Sequence, residues 1–235
     1  MGKLTNKRAL ITGASRGIGR AMAQRLATEN ASLILIGRDT KQLDETAKLC
    51  NESGAAKVSC FELDLQDNYA IDKLCQSLLD DGGIDLLVNN AGNFTKGHAL
   101  DGDADAWTQS MQLNLLVPMR LTRWFAPYMK DKESGIIINL GSVAAIEGMS
   151  SVGAYAATKH GLRGWSLSCY QQLREFGIKV VLINPAFVDT DMTAEVSINK
   201  ELMLRPEDIA EAMMLAINSS DSCCPEEITL RLTKK

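Results

Sequence analysis

Apolar runs alternate with amphipathic stretches from one end of this 235-residue chain to the other. The runs fall at 8–12, 32–36, 58–61, 84–88, 135–140, 178–183 and 227–232, and most are near-continuous in Val, Ile and Leu. Strands of that character are covered on both faces, as in a parallel sheet. The segments between them, at 17–28, 41–53, 68–80, 103–130, 154–176 and 206–219, predict helices. The last opens Pro206-Glu-Asp, with a proline preset for the first helical position and acids that match the helix dipole. Strands and helices in strict turn imply right-handed crossovers and a doubly wound α/β sheet. No repeat, linker or low-complexity tract interrupts the rhythm, so a single domain over residues 1–235 is expected.

Composition permits such a fold and disfavours other classes. Hydrophobic residues make up 46% of the chain, enough for a large core. A net charge of -4 offers nucleic acid no basic footprint, and no apolar run reaches the ~18 residues of a membrane span. The first strand follows so closely on Met-Gly-Lys-Leu-Thr-Asn-Lys-Arg that no signal peptide is expected. Six cysteines lack Cys-x-x-Cys spacing, and only Cys223 and Cys224 are adjacent. They predict ordinary thiols in a cytoplasmic, reducing compartment. His98 and His160 stand too far apart in sequence to suggest zinc.

The first strand runs directly into Thr12-Gly-Ala-Ser-Arg-Gly-Ile-Gly19 and then a helix. Glycines there let the backbone turn tightly and approach a pyrophosphate, whose charge the free N–H groups of the helix start accept. No Gly-Lys-Ser/Thr follows, which disfavours a kinase-type P-loop. Downstream, Tyr155 and Lys159 stand four apart in Tyr-Ala-Ala-Thr-Lys, neighbours on one helix face. An ammonium beside a phenol lowers the hydroxyl's pKa from about 10. A tyrosine so prepared exchanges protons with a substrate oxygen near neutral pH.

The spacing Gly13, Gly17, Gly19 resembles the Thr-Gly-x-x-x-Gly-x-Gly of the short-chain dehydrogenase/reductase family. The resemblance spans nearly the whole chain. It includes Asn89-Asn-Ala-Gly92, Asn114, Ser142, Tyr155-x-x-x-Lys159 and Asn184-Pro-Ala-Phe-Val-Asp-Thr190. It implies a Rossmann-type sheet of about seven strands in the order 3-2-1-4-5-6-7, with a short substrate-loop region at about 190–205. It implies catalysis by Asn114, Ser142, Tyr155 and Lys159. Tyr155 would move the proton, Lys159 would lower its pKa and hold the nicotinamide ribose, Ser142 would polarise the substrate oxygen, and Asn114 would organise a water. It implies cofactor contacts from Gly13, Ser15, Arg16, Gly17, Ile18, Gly19, Arg38, Asp64, Leu65, Asn90, Ala91, Gly92, Tyr155, Lys159, Pro185, Val188 and Thr190. A homodimer or homotetramer is expected by the same resemblance, with Trp107, Met111, Leu115, Trp165 and Tyr170 as interface or intrachain core.

Charge at the end of strand two bears on the cofactor. Enzymes using NAD tend to place an acid there for the ribose hydroxyls, whereas an arginine suits the 2′-phosphate of NADP. Leu35-Ile-Gly37-Arg38-Asp39 puts a glycine where the acid would stand and offers Arg38 as a planar fork, with Arg16 within reach of the same phosphate. Asp39 favours NAD unless it turns outward or pairs with Arg38. NADP(H) is the expected cofactor. Two features depart from the commonest pattern: Pro185-Ala186 stands where many relatives have Pro-Gly, and the last strand lacks a Val-Asp-Gly-Gly ending.

Met192, Val196, Ile198, Leu202 and Met203 form an apolar set able to cover a hydrophobic substrate or to pack as one amphipathic helix. Three functions follow. The first is a carbonyl reductase or alcohol dehydrogenase acting on a small molecule. The second is a 3-oxoacyl-carrier-protein reductase, docking its partner through Arg120, Arg123 and Lys130. The third is a non-catalytic NADP-binding sensor.

Overall fold

The computed structural model describes residues 4–96 and 98–233, so the first three residues of the N-terminal lead lie outside the described residues. Seven strands form one parallel sheet: β1 (Arg8–Thr12), β2 (Ser32–Gly37), β3 (Lys57–Glu62), β4 (Leu86–Asn89), β5 (Gly135–Leu140), β6 (Ile178–Pro185) and β7 (Glu227–Leu230). Their order is β3-β2-β1-β4-β5-β6-β7, the expected one. Strand β1 pairs with β2 on one side, Ile11 opposite Leu35, and with β4 on the other, Ile11 opposite Val88. The winding therefore reverses between β1 and β4, where a crevice opens at the carboxyl ends of the strands.

Helices cover both faces, as the continuous apolar strands require. Ile11, Leu33, Leu35, Val181 and Ile183 face Met22 and Leu26 of α1 (Gly17–Ala27) and Ile209 and Met213 of α7 (Pro206–Asn218). Their strand neighbours Leu10, Ile34, Ile36, Ile137 and Val180 point the other way. They pack with Ile71 and Leu74 of α3 (Asn68–Asp80), Leu121 and Phe125 of α5 (Val117–Asp131), and Cys169 of α6 (Gly153–Leu173). Aspartates start α2 (Thr40–Glu52) and α3: Asp39 accepts from Gln42 N, and Asp67 accepts from Tyr69 N and Ala70 N. Each side-chain oxygen satisfies a donor that the first turn cannot.

The single helix predicted over 103–130 is three pieces. Helix α4 (Ala104–Met111) passes through a π turn at Gln112–Leu116, where Val117 N–H bonds the Gln112 carbonyl, before α5 begins. The cause is Pro118. An unbroken α-helix would need its N–H for the Asn114 carbonyl, and proline has none. Strand β7 ends at Leu230 rather than 232, because its last partner on β6 is Pro185. The 190–203 segment is neither one helix nor a strand. It holds two 3₁₀ turns, Asp191–Thr193 and Lys200–Leu202, and its two ends meet in a parallel bridge between Val188 and Leu204.

Candidate active site

A cleft of about 460 Å³ lies over the carboxyl ends of the strands. Its nucleotide half begins at the turn between β1 and α1. Gly13 and Gly17 adopt positive φ of 65° and 55°, which L residues with a Cβ resist. A Cβ on Gly19 would stand 2.2 Å from the Gly13 carbonyl oxygen. Helix α1 starts with no side-chain cap and no acid in its first turn, so its free N–H groups face the cleft unclaimed. Ser15 and Ile18 line the same wall. This cradle fits a pyrophosphate.

At the end of β2, a Cβ on Gly37 would fall 2.0 Å from the Ser15 hydroxyl oxygen. A side chain there would have to push the Ser15 hydroxyl aside, and glycine leaves the position without the acid of an NAD-type site. The Ser15 hydroxyl is buried and has no partner among the described residues. Arg38 lines the cleft, exposed. Asp39 does not pair with Arg38. Its carboxylate is occupied at the start of α2, accepting from Gln42 N at 3.1 Å and Gln42 Nε2 at 2.9 Å. Arg16 forms an exposed ion pair with Asp191 across the cleft. Asp64 and Leu65 close the adenine side, with Asp64 Oδ1 also accepting from Gln66 N at 3.0 Å.

The two walls are tied together by side chains. Asn90 donates from Nδ2 to the Thr12 and Gly13 carbonyls at 2.9 and 3.1 Å. The Thr12 hydroxyl accepts from Asn90 N and Ala91 N, both at 3.0 Å. Arg20 braces the turn from behind, donating to the Ser15 carbonyl at 2.7 Å. Neither Thr12 nor Arg20 stood out in the sequence as a member of the site, although Thr12 opens the glycine motif. Gly92 lies between them and the reaction centre, where a Cβ would be 3.0 Å from Asn114 Oδ1 and 3.8 Å from Lys159 Nζ. Pro185, Val188 and Thr190 line the far side, with Thr190 packed over Gly17.

Ser142, Tyr155 and Lys159 share one wall, and Asn114 stands directly behind it. Ser142 leaves β5 with its hydroxyl accepting from Ala144 N at 3.1 Å, while it also donates toward the Tyr155 oxygen. Lys159 is buried and donates from Nζ to the Leu140 carbonyl at 2.7 Å. No carboxylate among the described residues offsets its charge, and burial pulls its pKa down to about 8. Its Nζ is 5.7 Å from the centre of the Tyr155 ring.

The shift at Tyr155 runs opposite to the expected one. Burial holds the Tyr155 hydroxyl above its ordinary value, with the Ser142 hydrogen bond pulling weakly the other way. Desolvation disfavours the charged form of both groups, and here it exceeds the attraction the helix spacing promised. Asn114 is fully buried and its amide is committed to protein. It accepts from Asn93 N at 2.8 Å and donates to the Asn93 carbonyl and to the Ser110 and Thr158 hydroxyls.

The remaining half of the cleft is apolar: Phe94, Val143, Met149, Val152, Phe187, Met192 and Val196. Of the set read from the 190–203 segment, only Met192 and Val196 reach the cleft. Met203 is buried in the body. Among the interface candidates, Trp165 and Tyr170 pack on the chain's own core, Leu115 lies against Gly161 and Trp107 against Gly102, which leaves Met111 exposed.

An open parallel sheet with a glycine cradle at its switch point and a serine, tyrosine and lysine on the facing wall defines a dinucleotide-dependent class of enzyme. The short chain dehydrogenase family model matches residues 7–201, and the chain belongs to that family; it is an oxidoreductase. An uncharacterized oxidoreductase of Staphylococcus epidermidis is 32% identical over 232 residues, 98% of this chain and 99% of that protein. A metagenomic short-chain oxidoreductase solved in complex with NADP matches with TM-score 0.85 and 32% identity over 99% of each chain. An alcohol dehydrogenase of the archaeon Thermococcus sibiricus, complexed with 5-hydroxy-NADP, matches with TM-score 0.88 and 27% identity over 97% of each.

Proposed function

We propose that this single-domain protein is an NADP(H)-dependent oxidoreductase that interconverts a carbonyl and an alcohol, with Tyr155 as general acid and base. The observation that carries this reading is the meeting of Ser142, Tyr155 and Lys159 on a cleft wall that faces the glycine cradle. Ser15 and Arg38 would supply what a 2′-phosphate needs, a buried hydroxyl without a partner among the described residues and an exposed guanidinium, and Arg16 would join them on leaving Asp191. The two solved relatives above hold NADP or a derivative of it. The cradle, Asp64, Leu65, Asn90, Ala91, Gly92, Pro185, Val188 and Thr190 would hold the rest of the cofactor.

The cofactor held there would provide the hydride that the carbonyl carbon takes up. Donors from Ser142 and Tyr155 stabilise the negative charge that grows on the oxygen. Tyr155 then gives its proton to that oxygen. A phenol held above its ordinary value stays protonated at neutral pH, the form that reduction requires. Lys159, pulled to about 8, is close enough to neutral to release and regain a proton and so restock the phenol. Asn114 fixes the loop at Asn93 with its amide. Its main-chain carbonyl, denied an α-helical donor by Pro118, would be the group to organise a water for that supply.

Of the three residues that the carrier-protein reading would dock through, Arg120 is tied up within the chain, while Arg123 and Lys130 stay exposed. Arg120 Nε and Trp124 Nε1 both bond Asp72 at 2.7 Å, and Lys130 sits over the Phe176 ring at 4.6 Å. A sensor would be expected to lack one of the four polar residues at the reaction centre, and all four are in place. Tyr155→Phe should keep NADPH affinity and lower turnover by about 10²–10⁴-fold. Titration of NADPH into the variant, alongside a carbonyl-reduction assay, checks both halves. Near-normal turnover refutes the assignment. Assembly as a homodimer or homotetramer is part of the proposal, and sedimentation reads it directly.

A further inference from the structure

We infer that the substrate is an uncharged carbonyl compound with an aromatic or compact alicyclic body, rather than an oxo acid, a sugar or a phosphorylated metabolite. This rests on the oxidoreductase reading above and adds the chemistry of the pocket beside it. The half of the cleft next to Ser142 and Tyr155 is walled by Phe94, Met149, Val152, Phe187, Met192 and Val196. Phe94 meets the Tyr155 ring edge to face, 5.1 Å between centres at 62°. Phe94 and Met149 pack on the cluster formed by Ala144, Val152, Tyr155 and Ala156. Aromatic and thioether groups so placed favour a ring or apolar body beside the reacting oxygen.

Every cleft-lining charge is either engaged or belongs to the nucleotide half. Arg38, Asp39 and Asp64 lie beyond β2 and β3, on the far side of the glycine cradle. Arg16 is paired with Asp191, and Lys159 is bound to the Leu140 carbonyl. At the rim, Lys96 is paired with Glu195 at 2.6 Å. Asn93, the remaining amide in this wall, accepts from the Ser110 hydroxyl at 3.0 Å. A carboxylate or phosphate carried into this pocket would lose water and find no free cation among the described residues.

Acetophenone and 4-acetylbenzoate carry the same reacting group and differ by one carboxylate. With NADPH, kcat/KM should favour acetophenone by at least about tenfold, the effect of desolvating an unpaired charge even partially. Saturation-transfer NMR on the cofactor-free protein should show the acetophenone ring protons in contact, with the signal weakened in Phe94→Ala. Val196→Arg, on the exposed loop, should shift the ratio toward 4-acetylbenzoate. Equal or better use of 4-acetylbenzoate by the parent protein overturns the inference and leaves the oxidoreductase reading standing. If NADPH binds yet neither these ketones nor other carbonyls are reduced, the carbonyl–alcohol reading falls and the substrate class with it.

Discussion

Lys159 shows at the scale of one side chain how function opposes stability. Lowering its pKa from 10.5 to about 8 amounts to about 3 kcal/mol set against the folded state at neutral pH. Below pH 8 the whole penalty is present. Between about pH 8 and 10.5 the folded lysine has shed a proton that the unfolded chain still binds, so this group makes stability rise with pH there. Lys159→Met removes the penalty but leaves the Leu140 carbonyl without its donor, which takes back about 1–2 kcal/mol. The ligand-free variant should therefore be more stable by about 1 kcal/mol while losing turnover. Urea unfolding at pH 7 tests it, and a less stable variant contradicts the account. The lysine and tyrosine were legible in the sequence because proton transfer restricts residue type and helix geometry restricts spacing. The direction of the tyrosine's shift was not, because it depends on how deeply the fold buries the pair. Phe94, Met149, Val152 and Phe187 were equally invisible: an apolar residue in a pocket wall has the same signature as one in the core.

At the scale of elements, the reaction centre is held by the ends of three neighbouring strands. Asn184, near the end of β6, accepts from Ser142 N at 3.2 Å and donates to Glu227 Oε1, on β7, at 2.7 Å. Arg163 of α6 holds the same carboxylate, donating from Nε at 2.8 Å. A Cβ on Gly141 would overlap the Asn184 side-chain oxygen at 2.0 Å, so strand β5 leaves the sheet around this amide. Asn184→Ala should cost about 1–3 kcal/mol of stability, the usual penalty for orphaned buried polar groups. It should also lower kcat by displacing Ser142. Unchanged unfolding and unchanged kcat would show that Ser142 is held by other contacts. The strands and their order were predictable, because a parallel sheet covered on both faces leaves near-continuous apolar runs. The π turn was missed because the pattern of apolar residues runs through it. Pro118 was the available signal, and it requires asking which carbonyl loses its donor.

At the scale of the whole molecule, the cleft touches the ends of six strands, so a ligand there stabilises the sheet as a unit. NADPH at about 100 times its Kd should add about 2.7 kcal/mol, raising Tm by about 5–10 °C in a chain of this size. Arg38→Ala should lose most of that gain with NADPH and little with NADH, since only NADPH brings a 2′-phosphate. An equal loss with both removes the basis for the cofactor assignment. The neck of the 190–203 excursion has a wider consequence. Asp189 N bonds the Leu204 carbonyl and Leu204 N bonds the Phe187 carbonyl, each at 2.9 Å, so the excursion is closed at its base by a two-bond stem. Lengthening a loop that is already closed at its base costs only a slowly growing entropy. Residues inserted beyond Thr190 can thus retune what enters the pocket while the strands and proton donors stay as they are. In this architecture, ligand preference and foldability can diverge independently.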